Sequence, residues 1–112
     1  MKPCNKLVRD RVPDIISKDG RKCSSRILDD DDEYFESLKA KLLEETQEFL
    51  EFPCIEELAD VYEVVVALLA YTGTPLREMF EVAVRKRRFA GGFTGRVFLE
   101  EVDDRGGKQS TE

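Results

Sequence analysis

The chain has 112 residues, 41% of them hydrophobic, enough for one small core, and a single domain over residues 1–102 is the expectation. A net charge of −6 argues against a nucleic-acid partner bound by the whole surface. The absence of histidine excludes Ser-His and Cys-His nucleophiles and His-based zinc sites, so a general base must be Asp, Glu, Lys, Tyr or Cys and a metal is expected to be hard and oxygen-bound.

Cys4, Cys23 and Cys54 are odd in number and form no C-x-x-C, which fits a disulfide framework poorly. The start, MKPCNKLVRD, lacks the apolar core of a signal peptide. The longest apolar run, Val64 to Tyr71, is too short to span a bilayer. A soluble protein of a reducing, cytoplasmic compartment with no membrane partner is expected.

In chain order, Pro13 stands where a helix can begin, and PDIISKDG reads as a short helix stopped by Gly20. KCSSRIL (22–28) alternates loosely and suits a strand. The acidic run Asp29–Glu33 reads as metal binding or, preferably, as a helix N-terminus capped by side-chain oxygens and favoured by the dipole. It lacks the spacing and central glycine of an EF-hand loop.

Phe35, Leu38, Leu42, Phe49 and Leu50 recur at helical spacing and predict a long helix over 32–51, which Pro53 breaks. A second helix over 54–72 is apolar almost all round beyond its second turn, so it should be covered on every side, and one neighbouring helix cannot do that. A subunit interface is therefore expected there. Gly73 ends this helix, and Thr74-Pro75 should start the next as N-cap and N1. That helix should end near Phe89 in the basic run RKRR, Gly91-Gly92 turn the chain, and 94–102 read as a strand able to pair with 22–28 in a small hairpin-like sheet. Residues 103–112 should be a disordered tail. The fold class is thus mainly α, an antiparallel helical bundle completed by oligomerisation.

The acids around Pro53 carry the chemistry. Glu44, Glu45 and Glu48 fall within one arc of the first long helix, with Glu45 at the border of its apolar stripe. Glu57 and Asp60, also three apart, open the second. A tight Phe52-Pro53 turn folds the helices antiparallel, so Glu45/Glu48 and Glu57/Asp60, at similar distances from the turn, should face one another. Two like charges about 4 Å apart repel by roughly 4 kcal/mol at an effective dielectric of about 20. Four converging carboxylates therefore need protons or a cation, and oxygen-only ligands suit Mg²⁺, or Mn²⁺. The same residue types also suit a solvated helix surface. Lys6, Arg9 and Arg11 near the start, and Arg85–Arg88 on the third long helix, supply the cations that would hold a polyphosphate beside such a metal. The second group is also well placed against the helix dipole. Phe52, Tyr62, Phe89 and Phe93 suit either base stacking or a core.

Three elements in this order, KLVRDRVPDII, then KLLEETQEFLE with EELADVYEVVVAL, then K-x-x-x-x-GGF leading into RVFL, make the chain resemble the all-α nucleoside triphosphate pyrophosphatase superfamily, the MazG-like and phosphoribosyl-ATP pyrophosphohydrolase-like proteins, over roughly residues 5–102. The resemblance implies Mg²⁺-dependent hydrolysis of the α–β phosphoanhydride to a nucleoside monophosphate and pyrophosphate by direct attack of water. It implies Glu45, Glu48, Glu57 and Asp60 as metal ligands, with Glu44, Glu45 and Glu48 serving the chemistry. Lys6, Arg9, Lys86 and Arg88 are the implied phosphate contacts, and a homodimer or homotetramer the implied assembly. The KLVRDRVPDII block points to the branch regarded as house-cleaning. Two departures stand out: a short gap between Glu48 and Glu57, and Ala90 where an arginine is expected before GGF. The rival expectations are a non-catalytic helical dimerisation module and the phosphoribosyl-ATP reaction itself.

Overall fold

The computed structural model describes residues 2–105 and is all-helical among them. Four helices follow in order: α1 (Val12–Lys18), α2 (Asp31–Glu51), α3 (Ile55–Thr72) and α4 (Leu76–Ala90). The chain groups into two compact units, one ending at Met79 and the other beginning at Phe80, so the division falls within α4.

In the first unit, α1 starts at Val12, with Pro13 in its first turn, where the missing N–H costs nothing. It closes over Gly20, whose φ of +82° suits glycine; the Arg21 N–H donates back to the Ile16 carbonyl at 3.2 Å. Gly73, at φ +73°, ends α3 in the same way, with the Thr74 N–H on the Leu69 carbonyl at 2.9 Å.

α2 begins in the acidic run as expected, with Asp31, Asp32 and Glu33 in its first turn facing the positive end of the dipole. Side-chain capping does not occur: Asp30, the N-cap residue, makes no cap hydrogen bond. Glu33 instead pairs with Arg26 and ties the preceding segment to the helix. Thr74 does not cap α4 either; its hydroxyl shares a 2.9 Å hydrogen bond with that of Thr72, and the Pro75 carbonyl accepts the first N–H groups of the helix.

Pro53 stops α2, and α3 packs back against it across a turn of three residues, Phe52 to Cys54. The buried centre of this hairpin is small. Leu38 of α2 is 2% exposed and Val64 of α3 is 7% exposed. At its far end Tyr71 stacks on Phe35 with centroids 5.0 Å apart and meets Tyr34 edge-on at 5.8 Å. Elsewhere α3 is only partly covered by α2: Leu58 and Tyr62 remain exposed. No helix among the described residues is long and apolar enough to cross a membrane.

In the second unit α4 continues to Ala90, with Arg87 and Arg88 in its last turn. The expected sheet is corrected here. Neither 22–28 nor 94–102 forms a strand, and no strand occurs among the described residues. An isolated two-stranded ribbon is marginal in water unless one face is buried. The apolar positions of both segments have no such cover: Ile27 is 88% exposed and Val97 91%. Of the expected tail, Asp103 and Arg105 form a local turn, with the Arg105 N–H on the Asp103 carboxylate at 2.9 Å; residues 106–112 lie outside the described residues.

Truncating Leu38 to alanine should lower the unfolding free energy by about 3 kcal/mol in urea denaturation. A loss under about 1 kcal/mol would place Leu38 outside the core.

Candidate metal centre

The α2–α3 hairpin brings three carboxylates together. Glu45 of α2 and Glu57 and Asp60 of α3 each offer an oxygen, and the three oxygens lie within 4.8 Å of one another. The geometry follows from the fold. Glu57 and Asp60 share one face because they are three residues apart on a helix. Glu45 meets them because both helices are counted from the same tight turn.

The surroundings are unequal. Glu45 is buried, at 7% exposure, while Glu57 and Asp60 are half-buried. One oxygen of Glu45 accepts from the Lys41 ammonium at 3.2 Å. Its other oxygen, Oε2, is buried without a hydrogen-bond partner, and so is Oε2 of Glu57. Buried carboxylate oxygens are ordinarily satisfied. Two orphaned ones on members of one converging group fit a bound cation: oxygen-only donors, hard, and anionic. Burial pushes the Glu57 carboxyl above its ordinary value, and the nearby charges of Glu48, Asp60 and Glu45 push it further.

Basic groups border the acids. Arg9, from the segment before α1, donates to Asp60 at 2.9 Å and reaches Glu63 at 3.9 Å. Lys6 reaches Glu44 at 3.4 Å, and Lys41 holds the same carboxylate at 3.1 Å. Burial would raise the Glu44 carboxyl, but the hydrogen bond and charge of Lys41, with those of Lys6, outweigh it and hold Glu44 below its usual range. For Lys41, burial is likewise outweighed by Glu44 and Glu45, which hold the ammonium above its usual value.

The residues singled out by sequence thus divide. Glu45, Glu57 and Asp60 form the converging group. Glu48 is exposed on α2, outside that group, and acts on Glu57 through its charge. Glu44 lies one ion pair back, between Lys6 and Lys41. Arg9 and Lys6 border the acids; Lys86 and Arg88 belong to α4 in the second unit. Lys41 was not singled out, although its spacing of three and four residues from Glu44 and Glu45 is the helical ion-pair signature. Comparison of the chain with protein-family models, characterised proteins and solved structures finds no match.

The raised Glu57 carboxyl has a consequence for stability. The native state holds this proton more tightly than the unfolded state does. Its cost to folding is therefore absent below the ordinary carboxylate value of 4.5, grows as pH rises through the raised native value, and persists above it. Glu57→Gln should raise the Tm of the metal-free protein at neutral pH, change it little at pH 4, and remove stabilisation by added Mg²⁺ or Mn²⁺. Thermal unfolding with and without metal checks this; Mg²⁺ stabilisation unchanged in the variant would remove Glu57 from the centre.

Proposed function

We propose that the protein is a Mg²⁺-dependent nucleoside triphosphate pyrophosphohydrolase of the all-α type that its motifs resemble. It cleaves the α–β phosphoanhydride to a nucleoside monophosphate and pyrophosphate, in a cytoplasmic, house-cleaning role. The single observation that carries this reading is the convergence of Glu45, Glu57 and Asp60 with two buried, unpartnered carboxylate oxygens. Basic side chains border those acids from outside α3, as a polyphosphate requires.

Glu45, Glu57 and Asp60 would hold the cation, Mg²⁺ or Mn²⁺, which when bound neutralises phosphate charge and polarises the phosphoryl oxygens. The chain's own residues do the rest. Glu48, exposed and close enough to act on Glu57, takes the proton of the attacking water. The water oxygen bonds to the α phosphorus as the bond to the bridging oxygen breaks, and pyrophosphate leaves with that electron pair. Arg9 and Lys6 exchange their carboxylate partners for phosphate oxygens. Glu44 positions Lys41, which fixes Glu45. The uncovered apolar side of α3, with Leu58 and Tyr62, supports a homodimer or homotetramer.

One observation favours a second reading, a helical dimerisation module without catalysis. Asp60 already has a cationic partner in Arg9, which satisfies that carboxylate without metal. Pyrophosphate release from a panel of canonical and modified nucleoside triphosphates, with phosphoribosyl-ATP included, separates the two. The hydrolase requires Mg²⁺-dependent release with a monophosphate product; silence across the panel selects the module. Glu48→Gln and Asp60→Asn should each lower kcat at least about 100-fold while the oligomer persists in size-exclusion chromatography. Full activity in both variants rejects the site.

A further inference from the structure

Beside the carboxylate centre, the first unit holds a cavity of about 440 Å³ between the segment 7–10, α2 and α3. The volume lies in the range of small-molecule sites. Much of its wall is apolar, from Val8, Leu38, Val64 and Ala67. Tyr34 adds an aromatic surface, and that ring is braced edge-on by Tyr71, which stacks on Phe35. A flat, largely apolar body suits such a wall.

Two residues belong to the cavity and the centre at once. Arg9 lines the cavity and donates to Asp60 at 2.9 Å; Lys41 lines it and donates to Glu45 at 3.2 Å. A ligand with its anionic end at the carboxylate centre therefore has the cavity within one side chain's reach.

The polar groups of the wall also set a preference. The cationic donors are already engaged, Arg9 by Asp60 and Lys41 by Glu44 and Glu45. The remaining charged groups, Asp10 and Glu63, are acceptors when ionised. Asp10 has no partner among the described residues, and Glu63 meets Arg9 only at 3.9 Å, beyond hydrogen-bond reach. Against the single phenol O–H of Tyr34, two carboxylates with no donor in hydrogen-bond reach favour a ligand edge with two or more N–H groups over one whose single N–H lies between two carbonyls.

We infer that this cavity is a base-binding site that selects nucleotides with an exocyclic amino group, of the adenine, cytosine or guanine kind, over uracil nucleotides, whose edge has one N–H between two carbonyls. The inference rests on the reading of the carboxylate centre as a phosphate site. Binding of monophosphates tests it without turnover. The full chain is titrated with AMP, CMP and UMP in the presence of Mg²⁺, followed by amide chemical shifts. AMP and CMP should bind at least about 10-fold more tightly than UMP, with shifts at Val8, Ala67 and Ala70. Ala67→Phe, which fills the cavity from α3, should weaken AMP and CMP binding at least about 10-fold while leaving Mn²⁺ affinity by calorimetry unchanged. Should that variant not fold, Ala70→Phe makes the same test from the exposed end of the wall. The combined Asp10→Asn and Glu63→Gln variant should bring the three monophosphates to similar affinity. Equal binding of all three by the native chain overturns the preference. Binding indifferent to both phenylalanine variants, or absent for every monophosphate, overturns the site. Intact, cavity-dependent binding without pyrophosphate release from the triphosphates keeps the site and rejects only the hydrolase.

Discussion

Three carboxylates held together against their own repulsion are the constraint on which the rest of the first unit depends. Glu45, Glu57 and Asp60 would separate if their helices were free to rotate. Burial of Leu38 and Val64 fixes that rotation, and Pro53 fixes the register by starting both helices from one short turn. The apolar contacts are few, so charge must share the work. Lys41 sits between Glu44 and Glu45, and Arg9 between Asp60 and Glu63. The segment before α1 reaches the hairpin through these same groups, with Lys6 on Glu44 as a further tie. Each of the latter contacts is partly exposed and individually modest. Their effect is to place that segment over the acids, where the charges of Lys6 and Arg9 bear on whatever binds there.

The helices were legible because their signals are local. Pro13, Gly20, Pro53 and Gly73 punctuate the chain where backbone geometry demands it, and the boundaries of α2 and α3 follow within a residue. The pairing of Glu45 with Glu57 and Asp60 was legible too, because helical spacing and a short turn leave little freedom. Failures came where an outcome depends on partners distant in sequence. Alternation in 22–28 and 94–102 describes a strand only if another strand and a covering surface exist. Ile27 and Val97 find neither among the described residues. Thr74 and Asp30 carry good capping side chains, but one is taken by Thr72 and the other makes no bond. Tyr34 could not be singled out as a cavity residue by spacing alone, since its place depends on where residues 7–10 cross the hairpin. The aromatic residues that sequence offered for stacking, Phe52, Tyr62, Phe89 and Phe93, are exposed and none lines that cavity.

Local electrostatics also separate the acids that sequence presents as equivalent. Glu44 is gripped by two lysines and held below the usual carboxylate range, which makes it a poor acceptor for a proton and a good anchor for Lys41. Glu57 is driven the other way by burial and by its acidic neighbours, so it gains most from a cation and resists ionisation without one. Glu45 is divided between these environments, with one oxygen on Lys41 and the other buried and unpartnered. A lysine that takes one oxygen leaves the second aimed by default, without any further residue to orient it. Glu48 is exposed, and its charge bears on Glu57. Of these four acids, Glu44 is an anchor, Glu45 and Glu57 join Asp60 in the group suited to hold a cation, and Glu48 faces solvent. The division follows from which side of the hairpin each lysine occupies, and a substitution at Lys41 would disturb it more than one at any exposed glutamate.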